Sequence, residues 1–204
     1  VYTTAQLIGL IMTTAGANGI DPAVAVAQLR KESVNFAPYY VYGPGVSPKG
    51  AAGIAQFMPD TGARFGLSLS DRFNPDRALP AWAMYMRQLL GQFNGRYDLA
   101  LAAYNWGENR TALQQALVSG QSILKYSIPT ETRNYVTGIL DASGYSALNP
   151  IVSTMQTATP TATDSVGGNY LLDFGSDSVD GGLGINWQVV GLAAAAAVVA
   201  ALVL

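Results

Sequence analysis

Basic charge breaks off abruptly near residue 140, and the chain beyond is acidic or uncharged. All 11 Lys and Arg of the 204 residues stand in 1–140 beside 8 acidic residues, whereas 141–204 hold five Asp and no base. One folded domain of ordinary size, 1–143, followed by an appendage is the organisation this predicts. Residues 144–184 are rich in Gly, Ser, Thr, Ala and Asp without a helical period, and they read as a flexible acidic linker. Residues 185–204 carry no charge. As a helix they would cover roughly 30 Å, close to a bilayer core, with Trp187 where an interfacial aromatic belongs. A C-terminal transmembrane helix is the preferred reading, and an apolar helix buried in a protein assembly is the other. With no basic flank on either side, orientation stays open.

Composition removes whole classes of chemistry. The chain has no Cys, so disulfides and thiolate metal sites are excluded, and no His, so Ser-His and Cys-His pairs and imidazole ligands are excluded too. A general acid or base must then be a carboxylate, Tyr, Lys or a group of the substrate. The balance of +3 over 1–140 favours an anionic polymer mildly and is too small for nucleic-acid binding. No basic cluster or Gly-rich phosphate loop points to a nucleotide.

Helix signals recur along 1–143. Residues 5–15 predict a short apolar helix ended by Gly16 or Gly19, assigned to the core because it is too short to span a bilayer and lacks the basic flank of a signal peptide. Asp21-Pro22 predicts an N-cap and first helical residue, with a helix through about Ser33. On a continued helix Ala25, Leu29, Glu32 and Phe36 share one face, which sets a carboxylate against apolar neighbours and disfavours its charged form. Two readings stand on spacing alone: a general acid, or a member of the solvated Arg30-Lys31-Glu32 run. Residues 36–46 form a loop with Tyr39, Tyr40 and Tyr42, read either as sugar-stacking groups or as packing.

In 47–59, Gly50 and Gly53 allow close backbone approach, and the Gln56 amide can both give and accept hydrogen bonds. Pro59 and Asn74-Pro75 predict two further helices, the second to about Phe93 with an apolar stripe of Ala78, Trp82, Tyr85, Met86 and Leu89 read as core. Helices are also expected from Asp98 to a glycine stop at Gly107, over 108–118, and after Pro129.

Glu32-Ser33, the Gly53-Ile54-Ala55-Gln56 stretch, Ala103-Tyr104-Asn105 and Glu131-Thr132-Arg133-Asn134-Tyr135 stand in the order of the motifs of one family. From about residue 5 to residue 140 the chain resembles the SLT-type (soluble lytic transglycosylase) domain, a mainly α, lysozyme-like (SLT/goose-type) fold that cuts peptidoglycan. The resemblance implies that Glu32 is catalytic, that Ser47 lies near it, and that Gln56 and Met58 line the saccharide cleft. It likewise implies Tyr104 and Asn105 at the acetamido and glycosidic region, with Glu131 and Tyr135 beside the glycan. The other reading makes Tyr104 and Asn105 helix-capping, Glu131 a helix-start charge and Tyr135 a core residue. Two departures stand out: a longer loop between Pro38 and Ser47, and Trp106 where the family commonly has Ala.

The activity so implied is cleavage of the β-1,4 bond between N-acetylmuramic acid and N-acetylglucosamine. Glu32 would protonate the glycosidic oxygen and then take a proton from the muramic acid 6-hydroxyl, giving a 1,6-anhydro sugar. No metal or organic cofactor is required. A muramidase using water, with Asp60, Asp71 or Glu131 as second carboxylate, is the rival enzyme. A non-catalytic wall-binding or structural virion protein is the rival of another class. Expected partners are glycan strands, a membrane through 185–204 and other virion proteins. The setting expected is the bacterial envelope or a phage particle that opens the wall locally for DNA entry, with a slight preference for the particle.

Overall fold

The computed structural model describes residues 1–145. Eight helices follow in order: α1 (Thr4–Ala17), α2 (Pro22–Glu32), α3 (Pro38–Val41), α4 (Pro59–Arg64), α5 (Pro75–Gln92), α6 (Tyr97–Trp106), α7 (Thr111–Ser119) and α8 (Thr130–Ser143). Single 3₁₀ turns stand at Asp71–Phe73 and Ile123–Lys125. Among the described residues β-pairing is limited to the isolated bridges Val46↔Ala52 and Ala52↔Phe57. The mainly α expectation holds for this part of the chain. The linker and apolar helix expected at 144–184 and 185–204 lie, beyond Tyr145, outside the described residues. Among the described residues no helix is long and apolar enough to cross a membrane.

Local chemistry sets the helix starts. Asp21 accepts hydrogen bonds from the Ala23 and Val24 amides ahead of Pro22, and Asn74 accepts from Asp76 ahead of Pro75. A capping box between Thr3 and Gln6 opens α1. Left-handed Gly120 and Gly144 close α7 and α8. Of the two glycines expected to end α1, Gly19 is the one used: the helix runs through Gly16 to Ala17, and Gly19 turns the chain at φ 68.

At the centre lies α6. Tyr97 to Ala103 are all buried, so this helix has no solvated side over two turns. Its alanines at 100, 102 and 103 let α5 and α8 pack closely against it. Trp82, Leu79, Met86, Leu89 and Phe93 fill the space on the α5 side. Each such side chain contributes about 1.5–3 kcal/mol of burial. Asp98 is buried as well, and it is fully occupied: Arg96 donates to it at 2.7 and 3.1 Å and the Ile123 amide at 3.0 Å. Arg96 also reaches the Ala116 and Gln121 carbonyls, tying the end of α7 to the start of α6. On the other side α8 packs against both α2 and α6, and α1 packs against α2 as well, so α2 is held between α1 and α8.

Candidate active site

Glu32 is the last residue of α2, and the chain beyond it turns the wrong way for a helix. Val34, Asn35 and Phe36 have φ of 51, 61 and 60°, a left-handed turn made without glycine. Buried Ser33 holds it: its hydroxyl donates to the Leu29 carbonyl at 2.7 Å and accepts from the Phe36 amide at 3.1 Å. The Asn35 amide donates to Arg30 O at 2.8 Å. The expectation that Phe36 continues the helical face is therefore corrected. Phe36 is buried because the turn folds it inward, stacked beneath the Arg30 guanidinium.

The half-buried Glu32 carboxyl meets α8 through Tyr135, whose hydroxyl donates to Oε1 at 2.5 Å. Removal from water pushes this carboxyl up to about 7, against the opposing pull of the Tyr135 hydrogen bond and the Lys31 charge. Burial, and then the Glu32 charge, push the Tyr135 hydroxyl well above its ordinary range. The same two causes act in the same order on Tyr104. Glu32, Tyr104 and Tyr135 thus form one electrostatic cluster drawn from α2, α6 and α8.

Segment 47–59 is fastened beside this cluster. The Tyr104 hydroxyl donates to Ala55 O at 2.7 Å, linking α6 to the loop. Arg72, itself buried, donates to the Gly50 and Phe57 carbonyls at 2.8 Å from beneath. Gly53 is required there: a Cβ on it would lie 1.6 Å from the Arg72 carbonyl oxygen, and its φ is 78°. Ser47 accepts from the Ala51 amide at 3.0 Å and so braces the loop. Gln56, at φ 47°, spends one amide hydrogen on Gly53 O at 2.9 Å. Met58 is exposed at the start of α4.

The other predicted residues divide. Asn105 accepts from the buried Thr132 hydroxyl at 2.8 Å, joining α6 to α8. Glu131 stands exposed in the first turn of α8. Trp106 is covered by Arg110, whose guanidinium carbon lies 5.1 Å from the ring centre and whose Nε donates to Trp106 O. In the longer loop, Tyr42 spends its hydroxyl on the Tyr2 backbone, while exposed Tyr39 meets Tyr40 edge to face at 5.2 Å.

Two residues of the cluster carry no motif. Gln28, fully buried, donates through Nε2 to the Tyr135 hydroxyl at 3.2 Å and accepts from the Trp82 indole N–H at 3.2 Å. Trp82 belongs to the stripe that periodicity assigns to packing, and no sequence motif includes Gln28. The available signal was an amide four residues before Glu32, on the same helical face, in an otherwise apolar run.

Against this geometry, residues 9–127 match the family model of the Transglycosylase SLT domain. The chain belongs to this family. It is 31% identical over 154 residues to the peptidoglycan transglycosylase gp16 of Escherichia phage T7, covering 73% of this chain and 11% of that protein. It is 37% identical over 101 residues to the membrane-bound lytic murein transglycosylase D of Escherichia coli K12, covering 46% of this chain and 22% of that one. The chain therefore spans less than a quarter of either relative. The 70 kDa soluble lytic transglycosylase of Escherichia coli superposes with a TM-score of 0.55 at 25% identity, over 67% of this chain and 23% of that one. An inactive mutant of the lytic transglycosylase Slt of Pseudomonas aeruginosa does so at 0.51 and 27% identity, over 66% and 23%. The described helices of this SLT chain have the fold of those lysozyme-like enzymes.

Proposed function

We propose that this SLT chain is a peptidoglycan lytic transglycosylase with Glu32 as its acid and base. The observation that carries the reading is a half-buried carboxyl raised to about 7 and held by a tyrosine donor, which keeps a usable fraction protonated near neutrality. Protonated Glu32 gives its proton to the oxygen leaving the muramic acid anomeric carbon. The resulting carboxylate takes the 6-hydroxyl proton as that oxygen closes on the same carbon. Glu32 ends protonated again, and no water is consumed.

The remaining candidates take binding roles. Asn105 has its oxygen committed to Thr132, leaving the amide hydrogens for an N-acetyl carbonyl. Gln56 retains one amide hydrogen and its carbonyl for sugar hydroxyls. Ser47 keeps its loop closed over the glycan, Met58 and Glu131 border the bound strand, and Tyr104 faces the reacting region. Digestion of purified peptidoglycan by the full chain and by Glu32→Gln, read by mass, tests the assignment. Anhydro-muropeptides from the parent alone are expected. Reducing-end muropeptides would mean hydrolysis, and no release from a folded parent would mean a wall-binding protein.

For the setting, we infer local wall opening during phage DNA entry. The match to a phage transglycosylase over 73% of the chain supports it. Detection of the protein in purified virions is expected; its confinement to uninfected envelopes would overturn this. The uncharged run 185–204 supports a membrane anchor behind a linker at 144–184. Flotation of the full chain with liposomes, lost on truncation at 184, checks it.

A further inference from the structure

A tyrosine hydroxyl beside a carboxyl can either give a hydrogen bond or take one, and the difference decides where the carboxyl keeps its proton. Here the choice is made two residues away. The indole N–H of Trp82, fully buried in α5, can only donate, so the Gln28 amide must present Oε1 to it and Nε2 to Tyr135. Tyr135 then receives a hydrogen from Gln28, and its own hydrogen has one acceptor left, Glu32 Oε1. A proton on Oε1 would face that hydrogen head-on. Among the described residues Oε2 has no hydrogen-bond partner and is not fully buried, so a proton there can meet a ligand.

We propose that Trp82 and Gln28 are positioning residues that lock Tyr135 as a donor to Oε1 of Glu32 and thereby place the carboxyl proton on Oε2. This rests on the reading of Glu32 as the acid. The groups that face the carboxyl are Lys31 from its own helix, Tyr135 from α8 and Tyr104 from α6. None of these is changed when the lock is removed at Trp82. Without the lock, the Gln28 amide can turn, neutral Glu32 can donate to Tyr135, and Tyr135 can pass its own hydrogen to Gln28 Oε1. The neutral carboxyl gains a hydrogen bond that the parent denies it, and its proton is withdrawn from the ligand side.

The test is carbon-13 NMR of the side-chain carboxyls in the full chain, which has three glutamates, Glu32, Glu108 and Glu131. Glu32→Gln assigns the resonance of Glu32. Trp82→Phe is expected to raise the Glu32 midpoint by about half to one pH unit. In a Tyr135→Phe background the same substitution is expected to leave the midpoint unmoved. Gln28→Met, which removes the amide donor at similar size and adds no charge, serves if Trp82→Phe does not fold; its upward shift should shrink when Tyr135 is Phe. An unchanged midpoint in a folded variant, or an equal shift with and without Tyr135, would overturn the lock. The titration needs no glycan, so loss of the transglycosylase reading and loss of the lock give different results.

Discussion

At Glu32 the loss of water raises the carboxyl, while the Tyr135 hydroxyl and the Lys31 ammonium draw it down, leaving it at about 7. An acid of that kind is protonated below pH 7, so kcat/KM on soluble glycan strands should fall roughly tenfold per unit above it. Tyr135→Phe removes a bond that favours the carboxylate, and the falling limb should move to higher pH in the same assay. Stability follows the same titration with the opposite benefit. The folded state holds a proton that the unfolded chain releases near the ordinary 4.5, so stability declines as pH rises from there through about 7. Glu32→Gln escapes that penalty. In urea titrations it should exceed the parent by about 1–3 kcal/mol above pH 7, partial exposure reducing the gain, and the gap should close toward pH 4.5.

Between residues and the whole lie the turn at 34–36 and the loop at 47–59. Val34 sits in the left-handed region and is 57% exposed, so it is strained and buries little. Val34→Gly should raise stability by about 0.5–1 kcal/mol, the relief being partly offset by glycine's freedom when unfolded, as read from thermal melts. Gly53→Ala should do the reverse, costing more than about 3 kcal/mol because the backbone of residue 72 must move or the loop must open. These two elements also mark what the amino-acid order reveals. Asp21-Pro22, Asn74-Pro75 and the glycine after α7 announce their helix ends because the chemistry is local. Nothing in Val-Asn-Phe announces a left-handed turn, so Phe36 was expected on a helical face it does not occupy. Motifs single out Glu32 and Tyr135, and a hydrogen bond joins the two in the fold. No motif marks Gln28, because its meaning depends on a hydroxyl 107 positions away.

Across the molecule, the site is assembled by helices far apart in the chain, α2 and α8 above all. Deleting everything after residue 129 should abolish lytic activity and lower the melting temperature, since α2 and α6 would each lose the helix packed on them. Ending the chain after residue 145 should leave both intact, because the described core closes on itself at α8. Zymography and circular dichroism of the two truncations check this. The separation of Glu32 from Tyr135 by 103 positions has a further meaning for the cell that makes the protein. Synthesis runs from the N-terminus, so the ribosome releases the acid long before the tyrosine that holds it. A nascent chain carries an unfinished blade, and its edge forms only when α8 is translated and folds back.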